Sequence, residues 1–205
     1  MITRIIVVAM LLLVFGACGQ EAAVNRPDDP MAPSLDADKA AMLPWRAAYM
    51  WSVTEVVWAG MPGQDTSTFD GRCSEPSDYI IRARFEGQAA HFGRVTGETC
   101  HCTQIAWSPA GEPMGMTYDD GVTSMRAANG SAIEITYGNG VTGYDPDTGQ
   151  HWFEDEFTFV QGTGLFEGIA GGGFEGGSFA DLQAVLAGDP VPMWGEGAVS
   201  FDPRP

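Results

Sequence analysis

In the run YIIRARFEG the odd positions Tyr79, Ile81, Ala83 and Phe85 are apolar, while Arg82, Arg84 and Glu86 occupy the other parity. Alternation with period two is the mark of a strand with one face on a core and one in water. The segments AAHFGRVTG (89–97) and TCHCTQIAW (99–107) follow after short polar breaks and read as two further strands. Between Met116 and Gly140 two alternating runs flank Asn129-Gly130, the dipeptide that suits a tight hairpin turn. The second of these runs puts Ile133, Ile135 and Tyr137 on one face. HWFEDEFTFV alternates again, with Phe153, Phe157 and Phe159 together, and VPMWGEGAVSF forms a last strand. A short helix is predicted over 178–188, capped by Ser178 and stopped by Gly188 ahead of Pro190. The segment PWRAAYMWSVTEVVWAG (44–60) fits either a helix leading into a strand or one long strand. Seven or eight strands at roughly ten-residue spacing predict an all-β domain, a closed antiparallel barrel of about eight strands or a sandwich.

The N-terminus breaks this pattern. Arg4 precedes an unbroken apolar run from Ile5 to Phe15, too short to span ~30 Å of hydrocarbon but suited to the core of a signal peptide. Gly16 and Ala17 directly before Cys18 resemble the lipobox of bacterial lipoproteins, with Phe15 where that family mostly has Leu. The resemblance implies a leader at 1–17 and a lipidated Cys18. Gly19 after the cysteine resembles lipoproteins sorted to the outer membrane. Several acyl chains, at ~0.8 kcal/mol per buried methylene, make a stable anchor. The Pro-, Ala- and Asp-rich stretch 18–44 is expected to be a flexible tether, with one helical turn near Asp36–Met42, and 45–205 to be the barrel domain.

Charge narrows the function. The chain has 10 Lys and Arg against 27 Asp and Glu, a net charge of -17. Such a surface repels nucleic-acid phosphate and anionic headgroups, so no nucleic-acid partner is expected and membrane contact is expected through the lipid anchor alone. Lys39 is the only lysine and lies in the tether, which removes Schiff-base chemistry and a phosphate-gripping lysine from the domain.

The glycine-dense stretch Val160–Gly177 raises the question of a phosphate loop. A dinucleotide fingerprint starting at Gly162 needs glycine at 167, where the chain has Glu167, and a Walker loop needs the missing lysine. The glycines are therefore read as hairpin corners, with Phe159, Phe166 and Phe174 filling the core between them. Together with ARFEGQAAHFGRVTGETCHC and the 119–140 hairpin, the motif Gly-Thr-Gly-x-Phe-x-Gly-x-x-Gly (162–171) resembles the allene oxide cyclase-like barrel shared with dirigent proteins. This resemblance covers Tyr79 to Phe201. It implies a closed barrel and a homo-oligomer, and it implies no catalytic residue by position, because the family's catalytic positions have no residue-by-residue match here.

Three constellations carry candidate chemistry. Cys73, Cys100, His101 and Cys102 suit a disulfide from Cys73 to Cys100 or Cys102, with one thiol left over. A zinc site at the same residues lacks the usual Cys-x-x-Cys knuckle. Asp155 has the inward parity of its strand, between Phe153 and Phe157, and His151 shares that parity. An acid inside an apolar barrel is a candidate general acid or ligand anchor, unless a bulge turns it to water or a Tyr or Arg satisfies it. Asp119-Asp120-Gly121 reads as an acidic turn and lacks the spacing of a calcium loop. No cofactor or metal is expected. The resulting expectation is a lipid-anchored barrel binding a small apolar ligand, its alternatives an isomerase or cyclase on a lipid-derived or phenolic substrate, or a filled structural barrel.

Overall fold

The computed structural model describes residues 41–59, 69, 71–109 and 113–201. The leader, Cys18 and the tether as far as residue 40 lie outside the described residues.

The alternating segments form eight antiparallel strands: β1 (Leu43–Trp58), β2 (Tyr79–Ala89), β3 (Gly93–Trp107), β4 (Pro113–Ala127), β5 (Ala132–Asp145), β6 (Gln150–Gly162), β7 (Ala170–Phe179) and β8 (Val191–Ser200). Each pairs with its neighbours in sequence, and β8 returns to β1 from Leu43↔Val199 to Trp51↔Val191, so the sheet closes into a barrel with no free edge. The ambiguous segment 44–60 is one strand, because Trp45, Ala47 and Tyr49 alternate inward along it. It starts at Leu43, two residues ahead of the expected boundary. Of the two strands predicted over 89–107, Ala89 ends β2, residues 90–92 turn the chain, and 93–107 form one strand. The polar break at Gly97-Glu98 stays in the ladder opposite Phe85 and Arg84.

The helix is shorter and later than predicted. Ser178 and Phe179 still belong to β7, so the cap is Asp181, whose carboxylate accepts from Gln183 N (2.8 Å) and Ala184 N (3.2 Å), and α1 spans Leu182–Leu186. Gly188 ends it, its N–H donating to Val185 O.

Aromatic side chains plug one end of the barrel. Trp45 packs on Phe157 and Phe159 with ring centroids 5.0 and 5.5 Å apart, and Phe92 packs on Phe166 at 4.8 Å. The far end is lined by Trp51, Ile81, Phe153 and Phe179 under α1. The glycine-dense stretch is the end of β6, a single 3₁₀ turn (Gly164–Phe166) and most of β7. Gly164 has φ 63°, and a Cβ there would lie 2.6 Å from Ser131 Oγ. Phe166 is buried as expected, but Phe174 is 51% exposed. Strand β7 runs in the opposite phase, with Phe174 outward and Glu175 inward.

Cys73 bonds Cys102 and leaves Cys100 as the half-buried free thiol. Both Cys100 and Cys102 lie on the outer face of β3, and the bridge clamps the loop before β2 against that face. Arg72 donates to Cys100 O (3.1 Å), while Ser74 donates from N and Oγ to Asp120 Oδ2 (2.6 and 2.8 Å). Asp119-Asp120-Gly121 is not a turn between strands. It is a bulge inside β4, where Asp120 has φ 53° and the pairing register shifts.

A bridge closing a 29-residue span restricts the unfolded chain enough to add about 3 kcal/mol. Cys73→Ser is expected to lower thermal stability by that amount in calorimetry. Alkylating the denatured, unreduced chain should label Cys100 and neither Cys73 nor Cys102; labelling of all three would contradict the bridge.

Candidate functional site

Strand β6 brings Asp155 inward between Phe153 and Phe157, and only 4% of its surface is exposed. Its direct neighbour across β7 is Glu175, so two carboxyls stand side by side on the inner wall. Like charges in that relation repel.

Two bulges aim tyrosines at this pair. The β4 bulge at Asp119–Gly121 and the β5 irregularity at Asn139 (φ 53°) lie next to each other, since Tyr118 pairs with Gly140 and Gly121 with Tyr137. Gly121 and Gly140 give the two rings room, because a Cβ on either would collide with the ring opposite. Tyr118 then donates its hydroxyl to Asp155 Oδ2 at 2.8 Å. Tyr137 Oη shares short hydrogen bonds with Thr99 Oγ1 (2.6 Å) and His101 Nδ1 (2.8 Å), and Thr123 Oγ1 donates to Thr99 Oγ1 (2.9 Å). The His101 ring stacks on Tyr118 with centroids 4.7 Å apart, bringing the acid pair and the Tyr-His-Thr chain into one cluster.

Burial sets the protonation states. Loss of hydration, then the adjacent Glu175 carboxyl, pushes Asp155 up to about 9, against the opposing pull of the Tyr118 hydrogen bond. Burial pushes Glu175 up to about 7. Side by side and both pushed up, the two carboxyls titrate as a pair and carry at most a fraction of their full charge at neutral pH. Burial, reinforced by Arg72, lowers His101 to about 3, so its imidazole is neutral. Burial raises Tyr118 and Tyr137 well above the usual phenol value, and both stay protonated.

These groups border a partly open cavity of about 80 Å³ inside the barrel, which Leu182, Val185 and Leu186 of α1 also line. Three buried polar atoms have no hydrogen-bond partner and belong to residues that line it: Tyr49 Oη, Thr103 Oγ1 and Asp155 Oδ1. Orphaned buried polar atoms are rare, and three of them border this one cavity, while a fourth, Trp45 Nε1, lies in the aromatic plug.

Of the predicted candidates, Asp155 reaches the cavity and His151 does not. His151 stacks on Phe179 (5.4 Å) and leans against Tyr144 (5.1 Å) nearer the end of β6, behind Phe179, which itself lines the cavity. His101 points inward, opposite to its cysteine neighbours, which separates it from any Cys-His metal cluster; among the described residues no group of metal-ligating side chains converges. Glu175, Tyr118 and the Thr99–Tyr137–His101 chain escaped the sequence reading. Only the inward parity of Tyr137 was readable, from Ile133 and Ile135.

Fold and site together define a closed eight-stranded antiparallel barrel with an acid-and-aromatic chamber. Comparison with protein-family models, curated proteins and solved structures gave no match.

Both carboxyls bind protons more tightly folded than unfolded, so the stability they confer is full below about pH 4 and lost as pH rises through 7 and 9. His101 acts the other way below about pH 6.5, where only the unfolded chain takes up its proton. The loss should therefore be steepest between about pH 6.5 and 7 and continue more gently to about pH 9. Asp155→Asn should flatten it and raise stability near pH 9.5 by on the order of 2 kcal/mol, read from urea midpoints across the pH series.

Proposed function

We propose that this chain is a receptor for a small, largely apolar molecule, held inside the barrel with a polar group at Asp155. The observation that carries the reading is the trio of unpartnered buried atoms around one aromatic cavity. A barrel built only for structure would fill that space with side chains, since an orphaned buried polar group costs about 1–3 kcal/mol. Eight strands give an interior just wide enough for side chains or one small ligand. The cavity is smaller than the ~150 Å³ that accommodates benzene in an engineered protein core. The ligand therefore buries a head of a few heavy atoms and runs its remaining length toward α1. The lipobox-like run Gly16-Ala17-Cys18 supports reading this receptor as a lipid-tethered protein of a bacterial envelope, exposed there to amphiphilic small molecules.

A second reading is favoured by one observation: Asp155 stands beside both Glu175 and the Tyr118 hydroxyl, with a proton to give near neutral pH. That combination suits proton-transfer catalysis, as in an isomerase or cyclase. The two readings part on the fate of the ligand. Catalysis requires that a bound molecule be recovered altered from the native protein and unaltered from Asp155→Asn.

Native mass spectrometry of the full chain isolated from its own membrane is expected to find a co-purifying small molecule. Leu182→Trp, which places a large ring in the mouth of the cavity, should abolish that adduct while leaving the far-ultraviolet circular dichroism unchanged. An adduct that survives Leu182→Trp at full occupancy, or its absence from the native protein, contradicts the receptor.

A further inference from the structure

The lining of the cavity is one-sided in charge. Asp155 and Glu175 both border it, and among the described residues neither Lys nor Arg does. The nearest arginine influence, Arg72, lies outside, donating to Cys100 O on the outer face of β3. Asp155 Oδ1 is buried and has no donor, although its partner oxygen has one from Tyr118. Tyr49, Trp51, Tyr118, Tyr137 and Phe153 present ring surface to the same space, and aromatic faces attract cations.

We infer that the ligand is a protonated alkylamine whose ammonium N–H groups bond to Asp155 and Glu175 and whose apolar body runs between Trp51, Phe153 and Phe179 toward α1. This deepens the receptor reading and rests on it. An ammonium offers three donors and no acceptor, matching an unpartnered carboxylate oxygen and the unpartnered oxygens of Tyr49 and Thr103. An anionic head would face two carboxyls with no counter-charge. A neutral alcohol offers one donor and leaves the acid pair without compensation. The net charge of -17 also concentrates organic cations around the protein.

The inference has a protonic consequence. Asp155 feels Glu175 from β7, Tyr118 from β4, Tyr137 from β5 and Glu154 beside it on β6, Tyr49 from β1 faces Glu175, and neutral His101 from β3 stacks on Tyr118. Asp155 and Glu175, pushed up to about 9 and about 7, are the groups of this layer that change charge around neutrality. A bound ammonium favours their ionised forms, so binding near pH 7 must release protons to the buffer. A neutral ligand has no such effect.

The test is calorimetric titration of the full chain with n-hexylamine and with 1-hexanol, near pH 7, in two buffers of different ionisation enthalpy. Hexylamine is expected to bind at least tenfold tighter than hexanol, with release of about half to one proton per ligand, and to gain affinity up to about pH 9. Asp155→Asn should weaken hexylamine at least tenfold and leave hexanol within twofold. Glu175→Gln, checked for folding by near-ultraviolet circular dichroism, should reduce the proton release. Hexanol binding as tightly as hexylamine, or hexylamine binding without proton release and unaffected by Asp155→Asn, overturns the amine and leaves the receptor standing. Failure of both probes, with no adduct on the native protein, overturns both readings.

Discussion

The pairing of β8 with β1 is the constraint from which the rest follows. Once Leu43–Trp51 is zipped to Val191–Val199, no strand has a free edge and every inward side chain points into one small interior. Eight strands leave little width, so what fills that interior is decided layer by layer. At the plugged end, Trp45, Phe92, Phe157, Phe159 and Phe166 occupy it with rings. Midway, the layer holds two carboxyls, a histidine and hydroxyls, and there the packing leaves space. The polar layer draws the barrel's stability down, because Asp155 and Glu175 lose hydration and face each other without a counter-charge.

A locally unfavourable layer inside a closed barrel is informative because cheaper alternatives existed. A leucine at 155 would remove the repulsion and the orphaned oxygen together. Buried charged groups that are not paired are costly, and such departures from a consistent fold concentrate where a protein does something. The bulges at Asp120 and Asn139 belong to the same pattern. Each interrupts a ladder, and their combined effect is to bring Tyr118 against Asp155 and Tyr137 against His101 and Thr99.

How much of this was legible follows from the physics of alternation. Strand β2 and strand β6 alternate without interruption, so their inward sets, Asp155 included, could be read directly. Strand β4 could not be read across its bulge: Met116 and Tyr118 point inward on even positions, Thr123 and Met125 on odd ones. In β5 the bulge at Asn139 likewise moves the inward set from Tyr137 to Thr142. Strand β7 failed for another reason. Its glycines carry no polarity signal, and the only visible rule, apolar inward, put Phe174 on the wrong face and left Glu175 unnoticed. The lost residue, Glu175, is the one that turns a lone buried acid into a pair. The disulfide partner was open between Cys100 and Cys102 because both share the outer face of β3. Only the position of the loop carrying Cys73 selects Cys102.

Parity alone does not bring His151 to the cavity, and the reason bears on what kind of site this is. It shares the inward phase of Asp155 but lies four residues nearer the end of β6, where its ring packs on Tyr144 and Phe179. Depth along the strand, not phase, separates a side chain in the chamber from one at the rim. The histidine that does reach the chamber, His101, is kept neutral by burial and engaged through Nδ1 with Tyr137. It therefore brings no positive charge near the acids, and neither does any other residue around the cavity. The chamber's polarity is acidic on one wall, aromatic on the others and nowhere basic. Whatever occupies it has to bring the missing positive charge or leave the acids protonated, and that choice separates an amine receptor from a neutral-ligand barrel.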